Sequence, residues 1–553
     1  MVSEESWVAE EVAGLALGDE RLHKRVQRIV ADWSAQPGKS IPEFSGDWAA
    51  TKGAYRLLEN ESVRAEAVRA AQWAATRQRI AAWQASSGER LTLCIQDTTS
   101  IDVTAYTSMA GRGALPRGSG GQRGFLAHTT LAVSSSGVPL GVLQQHTYVR
   151  EVAADAADAA DAADAADAAG EAAERTGKSG RRRKPDKGER ATKLVEDKES
   201  VRWLLGASQS LPEELPGELL FVSDRESDIA DYFAQMRPAH VHLLVRSQHN
   251  RKLELSEHKL WQALGVQEVA GTLAVEVSKQ KGRSQRVATC EIRYKPVTIL
   301  PPNKNRHPDA PHLPPLPLYA ISVIEIAAGT DGHAEAAGAP VNTPPPPGLP
   351  TGALPAGDAA GADIGEDAGQ RKRSKRKKQV QPEEAEEAEE AVTPINWRLL
   401  TTCPLTSFAE ACLLVKYYSM RWFIERFHYV LKSGCNIERH RLASVDALQR
   451  LLAIANIVAW RLLWLTHLAR LQPDLPCTVA LSDAEWKALY VATNRTKKLP
   501  DQPPTLQHAV RAIAKLGGFL GRRSDGQPGV TVLWRGWQHL ADLTQMWLLL
   551  QPD

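Results

Sequence analysis

Residues 416–442 read KYYSMRWFIERFHYVLKSGCNIERHRL. Written on a helix at about 100° per residue, Tyr418, Arg421, Glu425 and Lys432 fall within about 60° of arc, on a stripe roughly four turns long. A tyrosine, two cations and a carboxylate thus share one face. Around them Lys416, Arg426, His428, Arg439, His440 and Arg441 outweigh Glu425 and Glu438. Such a stripe is either a solvated helix face or a surface turned toward an anion. The neighbouring Tyr417, Trp422, Phe423, Phe427 and Tyr429 give the helix a packed side, which argues for the second, with nucleic acid as one candidate partner.

Two upstream segments place further carboxylates. In LTLCIQD, Leu91, Leu93, Ile95 and Asp97 alternate, which predicts a strand that brings Asp97 to the rim of a sheet. LLFVSD ends in the same way at Asp224 and runs into Arg225-Glu226-Ser227-Asp228. Taken singly, a strand-terminal aspartate is more often a turn former or helix cap, and Asp228 could be merely a first-turn helix residue. Taken together, two strand ends and a helix carry an all-oxygen donor set suited to a hard divalent cation. Magnesium is usually held by one or two carboxylates plus substrate phosphate oxygens. A pair of such ions about 3.5–4 Å apart stabilises both the entering and the leaving oxygen of an in-line phosphoryl displacement.

The surrounding pattern is mixed. Residues 1–75 read as helical; between Asp19 and Trp33, Leu22, Val26, Ile29, Val30 and Trp33 form an apolar face and Arg21, Lys24, Arg25 and Arg28 a basic one. Strands and helices alternate from 91 to 245, strand-like runs recur over 271–325, and nearly everything after 405 reads as helix, which makes an α/β protein with helical ends. Two stretches break the pattern. Residues 151–190 hold five Ala-Ala-Asp repeats followed by Arg181-Arg182-Arg183-Lys184, and 327–392 hold PPPP, RKRSKRKK and EEAEEAEE. Neither keeps an apolar period, so both are expected to be solvated inserts, the second a disordered loop.

Composition excludes less. The 553 residues carry 67 Lys+Arg against 65 Asp+Glu, a formal net charge of +2, with 43% hydrophobic residues. That is globular and not histone-like, and it leaves local basic patches open. No two of the six cysteines lie within four residues of each other, so CxxC metal or redox pairs are out and a reducing compartment is expected. MVSEESWVAEE lacks the apolar core of a secretory signal. The most apolar run, Leu451 to Leu468, contains Asn456, Arg461 and His467, and reads as a buried helix and not a membrane span. The expected location is the cytoplasm, with nucleoid association when bound to DNA, and no membrane partner.

On these motifs the chain resembles the DDE transposases of bacterial insertion-sequence family four, which includes the transposase of transposon five. The marks are IQDTTS with Asp97, SDRESDI with Asp224, and Y-x2-R-x3-E-x6-K met by Tyr418, Arg421, Glu425 and Lys432. Further matching blocks are LGDERLHKRV, KGAYRLLEN, EDKESVRWL, LLVRS, INWRLLT and AIAKLGGFLGRR. The resemblance covers nearly the whole length outside the two inserts.

The resemblance implies a fold and an activity. The fold is an RNase H-like α/β catalytic core with a β-rich insertion, flanked by a helical N-terminal DNA-binding domain and a helical C-terminal dimerisation domain. The expected bounds are 1–75, 76–442 and 443–553, with the β-rich insertion at 250–396. Asp97, Asp224 and Glu425 are the implied catalytic and metal-binding triad, for Mg²⁺ with Mn²⁺ as a substitute. Tyr418, Arg421, Lys432 and Arg246 are the implied DNA contacts near the cleavage site, and Trp397 the ring that holds a flipped base. Arg21, Lys24, Arg25 and Arg28 are the candidate contacts to the terminal inverted repeats. The implied reaction is cut-and-paste transposition by a homodimer: nicking, hairpin formation, hairpin opening and strand transfer into target DNA. Two rivals are a DNA-binding regulator that has lost catalysis and a stand-alone metal-dependent nuclease. All three carboxylates argue against the first; Trp397 and the extra terminal domains argue against the second.

Overall fold

The computed structural model describes residues 4–116, 121–150, 198–210, 215–277, 286–302, 307–326, 394–522 and 525–550. The inserts expected at 151–190 and 327–392 lie outside the described residues.

The chain begins with helices α1 (Glu4–Val12), α2 (Glu20–Ala35), α3 (Ile41–Ser45), α4 (Trp48–Leu58) and α5 (Ala65–Ser87). Asp19 starts α2 by accepting the Arg21 N–H at 2.8 Å, and Asp47 starts α4 by accepting that of Ala50 at 2.7 Å. The predicted apolar face of α2 is the buried one: Val26, Ile29, Val30 and Trp33 are buried, and Trp33 stacks on Phe44. Arg79 of α5 pairs with the buried Glu11 of α1, which joins these helices to the core that follows.

The core is one sheet built from β1 (Leu91–Asp102), β2 (Gly113–Ala114), β3 (Arg123–Ser134), β4 (Pro139–Tyr148), β5 (Glu218–Ser223), β6 (Val241–Arg246), β7 (Gly271–Val277), β8 (Arg286–Ile299), β9 (Leu316–Glu325) and β10 (Asn396–Thr401). β1 lies between antiparallel β3 and parallel β5, β5 is parallel to β6, and β4 pairs with the outer side of β3. The order β4-β3-β1-β5-β6 with these directions is the RNase H-like core that the resemblance implies. The parallel pairs need crossovers, supplied by α6 (Val201–Gln209) before β5 and α7 (Ala230–Ala234) before β6. β10 then pairs antiparallel with β6, and β9, β8 and β7 follow it outward. The β-rich insertion therefore extends the catalytic sheet.

Two sequence expectations need correction. β1 does not end at Asp97. Its pairing with β5 stops at Ile95↔Val222, but pairing with β3 continues to Asp102↔Gly124. β5 has only six residues and turns away at Asp224, whereas the antiparallel β3 has 12 and runs on beside β1. Asp97 thus sits on a strand that has lost one neighbour and kept the other.

The second correction concerns the stripe. Tyr418 lies near the end of α9 (Phe408–Ser419) and Glu425 in α10 (Trp422–Tyr429), with Arg421 at the junction. There the N–H groups of Met420 and Arg421 bond to Tyr417 and Tyr418, three residues back, which tightens the helix. Lys432 lies beyond, in a π turn over Val430–Gly434 closed by Cys435 N–H to Val430 O at 2.7 Å. Gly434 presses on Trp534, where a Cβ would come within 3.0 Å of the ring. One tight and one wide turn break the constant 100° step, so the four residues do not share a regular helix.

The C-terminal part comprises α11 (Val445–Leu471), α12 (Asp483–Asn494), α13 (Leu506–Leu516) and α14 (Val530–Leu549), after the one-turn α8 (Leu260–Gly265) in the sheet extension. α11 is long and apolar enough to cross a membrane, but 89% of its most apolar window is buried inside the protein. It packs against α5 and β4, where Asn456 and Gln145 exchange two amide hydrogen bonds of 3.0 and 2.9 Å. This is the buried helix expected from the sequence.

Candidate active site

Asp97 and Asp224 meet where the parallel strands β1 and β5 part, the edge at which open α/β sheets receive ligands. Asp97 accepts the Thr98 N–H at 2.8 Å. Asp224 caps the turn Arg225–Ser227 and accepts the Glu226 N–H at 2.9 Å. α10 carries Glu425 across from them. The Arg421 guanidinium links the groups: one nitrogen is 4.0 Å from Asp97 Oδ2, and the other pairs with Glu425 Oε1.

The charges are unevenly held. Burial, and then the charge of Asp224, push the Asp97 carboxyl up to about 7 against the opposing pull of Arg421. Burial and Glu226 raise Asp224 as well, again opposed by Arg421. Burial works against the positive charge of Arg421, but Glu425, Tyr418, Asp97 and Asp224 together hold its proton more tightly than usual. Glu425 is half exposed. Among the described residues no three Asp, Glu, His or Cys side chains converge as a ready metal cage. The donor chemistry nevertheless fits a hard divalent cation: two confined carboxylates repel each other and a third faces them, while Arg421 bears on all three and Arg202 on Asp224 as well. Arg421 occupies the position of charge compensation.

Beside this cluster lies an aromatic and cationic wall. β6 and β10 pair Arg246 with Leu399, and strand alternation puts Trp397 on the same face as both. Trp397 meets Tyr418 edge-on, with ring centroids 5.1 Å apart. The Arg246 guanidinium faces the Tyr418 hydroxyl, and its Nη2 donates to Asn396 O at 3.3 Å. Burial raises the Tyr418 hydroxyl and lowers Arg246. The structure thus gathers Asp97, Asp224, Glu425, Tyr418, Arg421, Arg246 and Trp397. It places Lys432 farther along: Lys432 Nζ is 3.2 Å from Glu438, which accepts the Asp102 N–H at the far end of β1. Asp228 is not part of the cluster. Its buried carboxylate binds Arg251 at 2.7 Å and the N–H groups of Gln248 and His249, pinning the loop after β6.

In the N-terminal helices, Arg21, Lys24, Arg25 and Arg28 are exposed along α2. Several are occupied: Lys24 faces Glu20 at 3.8 Å, Arg28 pairs with Asp32 and Asp47, and Arg25 lies against Gly53 of α4. The sequence pattern did not single out α4. Trp48, Lys52, Tyr55 and Arg56 line an open cleft of about 600 Å³ on α4, with Trp48 78% exposed. The available signal was a tryptophan with Lys and Arg four and eight residues later, on one helical face.

Three family models match the chain. Residues 4–63 match a transposase DNA-binding model, 206–461 a transposase DDE domain, and 457–546 a transposase Tn5 dimerisation domain.

Proposed function

We propose that this chain, which belongs to the Tn5-type DDE transposases, excises a mobile element at its terminal inverted repeats and joins it to target DNA. It is a DNA transposase with a DDE nuclease and strand-transfer domain, a DNA-binding domain and a dimerisation domain, and its family uses a divalent metal. The finer reading gives Asp97, Asp224 and Glu425 the metal, Mg²⁺ with Mn²⁺ as a substitute. The observation that carries it is the placing of Asp97 beside Asp224 at the parting of two parallel strands, with the Arg421 guanidinium between Asp97 and Glu425.

When bound, the cation supplies Lewis-acid stabilisation of the phosphate and a water ionised at neutral pH. The protein's own groups do the rest. The Thr98 and Glu226 N–H groups orient the two aspartates. Arg421 and Arg246 offer positive charge to the scissile phosphate, with Arg246 beside Tyr418 and bonded to the Asn396 carbonyl. Water cuts one strand at the element's end and frees a 3′-hydroxyl. That hydroxyl attacks the opposite strand, closing a hairpin, and a second water opens it. The freed 3′-hydroxyls then attack the target strands. Trp397 stacks a base displaced by the hairpin, at a gain of about 1–3 kcal/mol. Lys432 grips the backbone beyond the cut.

The α4 face, more than α2 with its paired Lys24 and Arg28, suits end recognition, since Trp48, Lys52 and Arg56 form one aromatic and cationic surface. Met546, Leu548, Leu549 and Leu550 are exposed at the end of α14, and such an apolar patch fits the pairing of two protomers in a synaptic complex. The domain division 1–75, 76–442 and 443–553 belongs to this proposal.

The test is incubation with duplexes carrying the inverted repeats that flank the coding sequence, with and without Mg²⁺. Hairpinned ends that disappear in Asp97→Ala and Glu425→Ala are expected. End binding with no cleavage would support a regulator, and cleavage regardless of end sequence a nuclease.

A further inference from the structure

Arg202, on α6, touches neither Asp97 nor Asp224, yet it reaches the neighbour of each. Its Nε donates to Thr98 Oγ1 at 3.0 Å, and its Nη2 to Glu226 Oε2 at 2.7 Å. Those two residues are the ones whose backbone N–H groups hold the carboxylates, Thr98 on Asp97 at 2.8 Å and Glu226 on Asp224 at 2.9 Å. The two halves of the site thus hang symmetrically from one planar fork. Its Nη1 donates to the Glu199 carbonyl at 2.8 Å, and the Glu199 carboxylate pairs with Arg150. The Arg202 side chain is only 12% exposed. The Thr98 hydroxyl also lies 2.9 Å from Nδ1 of the buried His128.

We propose that Arg202 is a positioning residue for the metal-binding aspartates, setting the separation of Asp97 and Asp224 through Thr98 and Glu226. The proposal rests on the reading of those aspartates as metal ligands. The chemistry favours arginine: a rigid fork with several donors fixes Thr98 and Glu226 relative to each other, while a lysine ammonium on a flexible stem supplies the charge without the angle. Groups that orient metal ligands are worth roughly 10- to 100-fold in metal affinity or activity.

The experiment compares wild type, Arg202→Ala and Arg202→Lys in the full-length protein. Mn²⁺ binding is followed by calorimetry without DNA, and cleavage of end duplexes is followed across a Mn²⁺ titration. The expected result is an affinity for Mn²⁺ weakened roughly 10- to 100-fold in both variants, with half-maximal cleavage moved to higher Mn²⁺ by a similar factor. Affinity for the end duplex and the near-ultraviolet circular dichroism stay as in wild type. Should the alanine variant fail to fold, the lysine variant decides, since it keeps the charge and most of the volume. Wild-type Mn²⁺ binding in Arg202→Lys, or a loss that runs in parallel with end binding and fold, overturns the positioning role. A wild-type protein that binds no Mn²⁺ overturns the underlying triad along with it.

Discussion

Arg421 stands 4.0 Å from Asp97 and uses its other nitrogen to hold Glu425. A guanidinium and a divalent cation compete for the same oxygens, so binding of the metal requires Arg421 to give way. Arg421→Ala is expected to bind Mn²⁺ several-fold more tightly at pH 8 in calorimetry while losing strand cleavage by roughly 100-fold. Weaker metal binding in this variant would mean that Arg421 supports the cation and does not replace it.

The raised carboxyl of Asp97 gives a pH dependence of definite sign. The folded chain holds this proton up to about 7, while an unfolded aspartate releases it near pH 4. The stabilising contribution is therefore complete below about pH 4 and is lost as pH rises through about 7. In metal-free protein, Asp97→Asn removes this loss, so its Tm should climb relative to that of wild type between pH 4 and 8, with a stability gain of at most about 4 kcal/mol. Millimolar Mg²⁺ should close the gap by stabilising wild type alone. Parallel melting curves with and without Mg²⁺ would count against the site.

End recognition should follow α4. Lys52→Ala and Arg56→Ala are expected to weaken binding to the inverted-repeat duplex and to reduce the slope of log affinity against log salt by about 0.9 for each phosphate no longer neutralised. Arg28→Ala should matter less, because Arg28 already pairs with Asp32 and Asp47. A salt titration by fluorescence anisotropy separates the two helices, and a larger effect at Arg28 would return recognition to α2.

Trp397 should act after the first cut. Trp397→Ala is expected to leave nicking intact and slow hairpin formation roughly 5- to 150-fold, the equivalent of one stacked base. Strand-resolved gels report both steps, and an equal loss of nicking would make Trp397 a packing partner of Tyr418 alone.

Much of this site was legible in the sequence because its residues sit on short periodic segments. Strand alternation located Asp97 and Asp224, and a helical stripe located Tyr418, Arg421 and Glu425. What the pattern missed depends on distant partners. β1 passes Asp97 because β3 lies alongside it to Asp102, and pairing length is a property of two strands. Lys432 left the regular stripe because Gly434 packs on Trp534, some hundred residues away in the chain. The α4 face did not stand out because charge counts along α2 do not reveal that Lys24 and Arg28 already face Glu20, Asp32 and Asp47. Arg202 carries no motif of its own: its meaning comes from Thr98 and Glu226, which only the fold brings within its reach.

The central claim is that Asp97, Asp224 and Glu425 hold one metal centre. Anomalous diffraction at the manganese edge, from crystals of the protein bound to an end duplex and soaked in Mn²⁺, tests it most directly. The expected result is a peak about 2.0–2.6 Å from carboxylate oxygens of all three residues, with Arg421 withdrawn from Asp97 toward the DNA backbone. A peak elsewhere, with Arg421 still joining Asp97 to Glu425, would contradict it.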